Sequence, residues 1–475
     1  MSDTSTIPHV LIDGNEKHQE IDGFGASFAK QAHLLLRCAE PGRTQILDLL
    51  FSRTGGAGLS IIRNQINSKS AVIDPDYGTI EPSKNSFDFD HDEAQIWLMK
   101  EAKHRGVATF ISTAFSPPAW MKVNNNTIDD SDPPKPERNR LRHDRRNDYA
   151  TYLARYVREY RDRFGIELYA ISPANEPDVS AAYQSCTWTP ADLHDFIRDF
   201  LKPALANQRV SIRLIAPEPL AWSEVAFALP IENDPATNAL VQIIGLHNYN
   251  YDPATHEPIV TAEAVAQTRA LKKRLWMTET STLEPDDKSM RDALIWAKTI
   301  HKHMVIAGSN AWLWWWGVLG EATGSNFGSG QGLIYFRHED GTYTIRKRFW
   351  CLAHYSRFIR PGAVRIAATA SPVDGVYVSA YRSQEESTPT LVIVVINTTA
   401  SDQPCTIGLV NIAADTLQSY VTSDTLDLAH MAGIAVTNGE LALTLAPRSV
   451  TTLAGDLKSG QSEPPKKYKI YVPHF

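Results

Sequence analysis

Short apolar runs alternate with longer amphipathic stretches through most of the chain, and that alternation predicts strands punctuated by helices. The strand-like runs fall at 21–28, 58–66, 107–115, 168–171, 212–219, 243–251, 274–281 and 310–317. Helical spacing of apolar residues occupies 41–51, 91–104, 148–164, 288–306 and 345–358. A further helix opens at Thr189, whose hydroxyl suits an N-cap, with Pro190 at the first helical position. Within 148–164, Tyr149, Tyr152, Leu153, Tyr156, Val157 and Tyr160 recur on one stripe, which reads as core rather than as a binding surface. Eight strand–helix alternations in a row predict an α/β fold, a (β/α)8 TIM barrel, over the alternative of an open doubly wound sheet.

Past residue 362 the pattern changes to β runs separated by Asn, Gly and Asp turns, such as Leu391-Val392-Ile393-Val394-Val395-Ile396-Asn397. This predicts an appended small antiparallel β-sandwich. Residues 8–20 also read as strand and precede the barrel, so they are expected to join the sandwich. The expected division is therefore 1–20 as N-terminal strands of the sandwich, 21–361 as the barrel, 362–457 as the sandwich and 458–475 as a tail. At 475 residues the chain exceeds a single barrel, in keeping with two domains.

The ends of the predicted barrel strands carry the chemistry. The fourth runs into Ser172-Pro173-Ala174-Asn175-Glu176-Pro177-Asp178, and the seventh, Arg274-Leu275-Trp276-Met277-Thr278-Glu279, also ends in an acid. A carboxylate at the end of a buried strand costs free energy unless something uses it, and at the C-terminal mouth of a barrel such residues are catalytic. Two carboxylic acids there are what glycosidic bond cleavage needs, one to protonate the leaving oxygen and one to attack or to activate water. The plainer reading is that each acid caps a helix or pairs with an arginine. Glu218, at the end of the fifth strand, is the competitor for a catalytic role. Arg63 follows the apolar centre of the second strand, where it could hold a nucleophile ionised. The sixth strand delivers His247, Asn248 and Tyr249, although lone histidines are more often structural. Pro117 and Pro118 stiffen a loop that presents Trp120, and consecutive Trp314, Trp315 and Trp316 alternate between the lumen and the helices. Gly23 and Gly25 allow a close backbone approach, with Lys30 and Gln31 just beyond. The third glycine of a dinucleotide loop is absent.

Charge and composition narrow the partners. A net charge of −7 with no basic stripe excludes nucleic acid and other polyanions. No run is apolar enough for a membrane span. Residues 1–10 lack the apolar core of a signal peptide, so the protein is either cytoplasmic or exported with a signal peptide outside this sequence; the extracellular reading is favoured for an enzyme acting on polymers. Four scattered cysteines, Cys38, Cys186, Cys351 and Cys405, leave two, one or no disulfides open. No His/Asp/Glu group shows metal-ligand spacing, so no metal and no cofactor is expected.

Asp22-Gly23-Phe24-Gly25, Ile62-Arg63-Asn64, Ser116-Pro117-Pro118-Ala119-Trp120-Met121-Lys122, Asn175-Glu176-Pro177-Asp178, Trp276-Met277-Thr278-Glu279 and Trp314-Trp315-Trp316 together resemble glycoside hydrolase family 30, in clan A. The segments span the barrel in the expected order. The resemblance implies a retaining hydrolase with Glu176 as general acid/base and Glu279 as nucleophile. Asn175 would bond the sugar 2-hydroxyl, Arg63 and Tyr249 would hold Glu279 ionised, and Trp120 and Trp316 would form stacking walls. The segment 45–66 looks most like the fungal-type xylanase branch, which implies a polysaccharide or oligosaccharide substrate, β-1,4-xylan or glucuronoxylan, acted on by a monomer. Bacterial glucuronoxylanases of the family hold the glucuronic acid branch with an arginine in the loop after the eighth strand. Here that loop, 317–332, has Glu321 and no Arg or Lys, and Lys30 is the candidate replacement. The rival readings are the same chemistry on β-1,6-galactan, β-1,6-glucan or glucosylceramide, and a non-catalytic carbohydrate-binding barrel.

Overall fold

The computed structural model describes residues 9–69, 78–320, 330–383 and 388–458. Glu321 and residues 459–475 lie outside them. The chain opens with β1 (His9–Glu20) and then forms a closed parallel barrel of β2 (Gly23–Ser27), β3 (Ile61–Ile66), β4 (Thr109–Ala114), β5 (Ala170–Ser172), β6 (Arg213–Pro217), β7 (Val241–His247), β8 (Arg274–Glu279) and β9 (Ala311–Trp315). Three short strands follow, β10 (Val318–Gly320), β11 (Ile334–Phe336) and β12 (Tyr343–Ile345). The loop after β9 is thus edged by a small sheet.

Inward positions alternate along each strand. One layer of the lumen is apolar, built from Ile61, Ile111, Ala170, Ile215, Ile243, Trp276, Ala311 and Leu313, with Tyr169 stacked on Trp276 at 5.7 Å. Two residues onward on their strands, on the same side, stand Arg63, Thr113 and Ser172, all buried. The barrel interior is therefore apolar at the N-terminal end and polar at the mouth, the end where barrel active sites form. Outward positions such as Ile62, Ile244, Leu246, Met277, Trp312 and Trp314 pack under the helices, and the tyrosine stripe of helix Arg146–Phe164 is buried there too. Gly25 lets β2 approach β3: a Cβ there would lie 2.2 Å from the carbonyl oxygen of Ile61.

The second domain is a nine-stranded sheet that adds β13 (Val364–Ala368), β14 (Val376–Ser383), β15 (Thr390–Asn397), β16 (Gln403–Val410), β17 (Thr416–Thr422), β18 (Ala429–Ala435), β19 (Glu440–Leu445) and β20 (Ser449–Asp456) to β1, in the order β18-β17-β20-β15-β14-β13-β1-β16-β19. It is antiparallel except where β1 meets β16. A strand inserted between two strands of opposite direction must run parallel to one of them. The unbroken apolar run of β15 follows from burial on both faces. Leu391, Ile393 and Val395 enter the sandwich core, while Val392, Val394 and Ile396 join the core shared with the barrel. His354, buried on the helix Lys347–Ser356, ties the domains through the hydroxyls of Thr452 (2.8 Å) and Thr422 (2.9 Å). All four cysteines are free and buried. Among the described residues no helix is long and apolar enough to cross a membrane.

Candidate active site

At the mouth of the barrel, side chains from β3, β4, β7 and β8, and from just beyond β5 and β6, converge on a buried ionic cluster. Arg63 is its hub. Its guanidinium donates to Glu279 and to Asn175 Oδ1 (2.7 Å), and lies 3.6 Å from Glu218 and 3.4 Å from His247 Nε2. Its carbon centre sits 5.4 Å from the Phe115 ring and 6.0 Å from that of Trp315, faces that favour a cation.

Backbone irregularities aim the acids. Strand alternation alone would turn Glu279 outward, three residues beyond the inward Trp276. A register shift pairs Leu246 with Met277 and then His247 with Glu279, so β8 carries one extra residue there and Glu279 turns into the mouth. Glu176 and Glu218 both adopt positive φ, 45° and 58°, a conformation that costs free energy in a residue with a side chain. The two are linked, since the Glu176 amide donates to the Glu218 carbonyl at 2.8 Å. Gly245 makes room for Glu218, because a Cβ at that position would lie 2.8 Å from Glu218 Cγ.

Around Glu279, the Tyr249 hydroxyl donates at 3.0 Å. Around Glu176, His247 Nδ1 lies at 2.9 Å from one carboxyl oxygen and the Tyr183 hydroxyl donates to the other. One oxygen of Glu176, one of Glu279 and a ring nitrogen of His247 all lie within 4.8 Å of one another. The cluster joins residues scattered along the sequence, so their spacing gives no sign of it.

The electrostatics separate the three acids. Glu218 is wholly buried, yet the Arg63 and His247 charges outweigh burial and lower its pKa to about 2. It is a fixed anion, not a proton donor. Burial disfavours a charged His247, but the Glu279 charge, the hydrogen bond to Glu176 and the nearby Glu218 carboxylate overcome it and raise the ring to about 9. Burial raises the Glu279 carboxyl above its ordinary value, against the charges of His247 and Arg63. Two cations, Arg63 and His247, thus face three carboxyl groups, Glu218, Glu176 and Glu279. A neutral cluster keeps one proton on the Glu176–Glu279 pair.

The other expected residues are placed as follows. Trp120 is half-buried on the loop after β4, its indole N–H donating to the Glu81 carbonyl at 3.0 Å and its ring 5.7 Å from the Arg145 guanidinium. Trp316 is only 5% exposed and packs with Ala29, Leu319 and Tyr335. The half-exposed indole is that of Trp315, stacked on Phe115 at 5.7 Å. Trp315 lies on the inward side of β9, in step with Ala311 and Leu313, so counting by two along the strand could have singled it out. Lys30 is half-buried at the N-cap of helix Gln31–Leu36. Sequence reasoning missed Tyr183, a lone aromatic in a loop of small polar residues seven positions after Glu176. That loop is braced from beneath by Lys122, fully buried, whose ammonium donates to the Ser185 carbonyl at 2.5 Å and to Asn139.

Comparison with known proteins agrees with this geometry. Residues 21–357 match the family model described as glycosyl hydrolase family 59, and residues 362–453 that of the glycosyl hydrolase family 30 beta sandwich domain. Glucuronoxylanase XynC of Bacillus subtilis is 30% identical over 362 residues, 75% of this chain and 76% of its own. The family 30 subfamily 8 xylanase Xyn30A of Clostridium acetobutylicum superposes with a TM-score of 0.75 at 30% identity, covering 94% of this chain and 100% of that one. The catalytic domain of family 30 xylanase C from Talaromyces cellulolyticus gives 0.76 at 26% identity, covering 95% and 100%. With relatives that span barrel and sheet together and a sheet domain of the family 30 type, the chain belongs to the family 30 glycoside hydrolases, and its barrel also answers to the family 59 description.

Proposed function

We propose that this chain is a retaining glycoside hydrolase that cleaves β-1,4-xylan, with Glu279 as nucleophile and Glu176 as general acid/base. The observation that carries the reading is the separation of the two acids: oxygens within 4.8 Å suit direct attack by one carboxylate, whereas inverting pairs stand about 6.5–9.5 Å apart to admit a water. The arginine cannot give up its charge, so it works against the proton that burial favours on Glu279. Tyr183, by contrast, has a hydroxyl that can turn to accept from a protonated Glu176. In the first step Glu176 protonates the glycosidic oxygen while Glu279 attacks the anomeric carbon, and Tyr249 and Arg63 keep the attacking carboxylate aimed. In the second, Glu176 takes a proton from water, which displaces Glu279. Asn175 spends its oxygen on Arg63 and so offers its amide N–H groups to the sugar 2-hydroxyl.

The xylan assignment draws on the names of the relatives above, one a glucuronoxylanase and two xylanases. Product analysis on glucuronoxylan, unsubstituted xylan and β-1,6-galactan tests it. Xylo-oligosaccharides are expected from both xylans, and release from galactan alone would overturn the substrate while keeping the mechanism. The cluster of Glu176, His247 and Glu279 has metal-ligand chemistry, yet Arg63 and a protonated His247 already supply the positive charge a cation would bring. Activity is expected to be the same before and after dialysis against EDTA; a loss restored by a divalent cation would refute this.

A further inference from the structure

The third acid of the mouth takes no part in the double displacement described above, yet its side chain is the most enclosed of the three. We propose that Glu218 is a positioning residue whose fixed negative charge, held between Arg63 and His247, keeps His247 protonated against Glu176 and sets the pH range in which the catalytic pair works. The proposal rests on the retaining-hydrolase reading for its kinetic consequence, but not for its electrostatic one.

The geometry is specific. One carboxyl oxygen accepts from Thr113 Oγ1 at 3.0 Å; the other faces Arg63 at 3.6 Å and His247 Nε2 at 3.9 Å, with no hydrogen-bond partner of its own. Those longer distances are charge contacts, whose strength in a buried site survives without close contact. His247 turns its opposite nitrogen, Nδ1, to Glu176 at 2.9 Å. The imidazole therefore bridges Glu176 and Glu218; the Arg63 guanidinium also lies 3.4 Å from Nε2, and the Glu218 charge facing both cations is what lets the ring stay an imidazolium beside the arginine. Arg63 forms a second bridge, from Glu218 to Glu279. The fold spends strained backbone on this arrangement, with positive φ at Glu218 and a glycine at 245 that leaves space for its side chain.

The charged and titratable groups facing this network are Arg63 from β3, Glu176 and Asp178 from the segment after β5, Tyr183 from the loop beyond, His247 and Tyr249 at the end of β7, and Glu279 from β8. Asp178, which accepts from the Leu220 amide at 3.1 Å, is raised to about 6 by burial. Removing the Glu218 charge leaves both cations undercompensated, which favours the ionised form of each catalytic carboxyl. Glu279, whose pKa burial raises and those cations hold down, then ionises at lower pH, and the activity profile follows.

The test is the isosteric Glu218→Gln variant, read by its profile of kcat/KM against pH and by NMR titration of His247 with histidine-labelled protein. Both limbs of the bell are expected to move to lower pH by about one unit, and the His247 titration to fall by at least as much. A lower rate with limbs and titration unmoved would make Glu218 a space filler and overturn the proposal. In the unsubstituted chain His247 is expected to titrate well above 6.5. A value at or below that overturns the proposal with no variant needed, which settles the matter should Glu218→Gln fail to fold. If the unsubstituted chain hydrolyses no glycan, the retaining reading falls, while the two His247 titrations still judge this proposal.

Discussion

Glu279→Gln is expected to lower kcat on xylan by on the order of 10⁵-fold, while the folded protein melts within a few degrees of the parent. The amide keeps the shape of the carboxyl; its one oxygen can still accept from Arg63, while its NH2 group replaces the oxygen that accepts from Tyr249, whose hydroxyl can turn to accept instead. It cannot form the glycosyl ester. Glu176→Gln is expected to differ in kind. With the acid gone, natural xylan linkages are lost as substrates, but an aryl xyloside with a good leaving group needs no proton, so formation of the glycosyl-enzyme survives and the second step becomes limiting. Azide should rescue that step in Glu176→Ala and yield the β-configured xylosyl azide. Steady-state kinetics and product stereochemistry check both, and azide product of inverted configuration would exchange or void the two assignments.

Arg63→Met is expected to cost both activity and stability, about 3–5 kcal/mol of the latter in urea unfolding at neutral pH. The cause is not one lost salt bridge. Arg63 is 1% exposed and answers two buried carboxyl groups, Glu218 and Glu279, that would remain in place without their counter-ion. The same change frees Asn175 from its anchor, so kcat/KM is expected to fall about 10³-fold or more. The stability deficit should narrow as the pH is lowered, since carboxyls that take up protons no longer need the guanidinium. Arg63→Lys should lie between, because a single ammonium cannot serve Glu279, Asn175 and Glu218 in their separate directions. Equal unfolding midpoints for parent and Arg63→Met would show that Glu218 and Glu279 are neutralised by some other means.

The reading of the barrel needed only local pattern. Buried parallel strands are short apolar runs, helices that cover them show the 3.6-residue stripe, and both periods are written in consecutive residues, as in 58–66 and 148–164. Acids that interrupt apolar runs, Glu176 and Glu279, stand out for the same reason. The role of Glu218 did not stand out, because its sequence context is that of the other two; only its enclosure by Arg63, Thr113 and His247 makes it a fixed anion. His247 looked like any buried histidine until its two nitrogens were found facing two carboxyl groups.

By itself the sequence determined the class of fold, the strand ends where chemistry could sit, and the residue types available there, since these depend on hydrophobic period and on the free energy of burying a charge. Tertiary structure alone decided direction and neighbourhood. A bulge in β8 turns Glu279 inward, the inward side of β9 brings Trp315 rather than Trp316 beside Phe115 and Arg63, and a loop braced on Lys122 carries Tyr183 to Glu176. These follow from contacts between residues far apart in the chain, 216 positions for Arg63 and Glu279, whose distances and field no local pattern encodes.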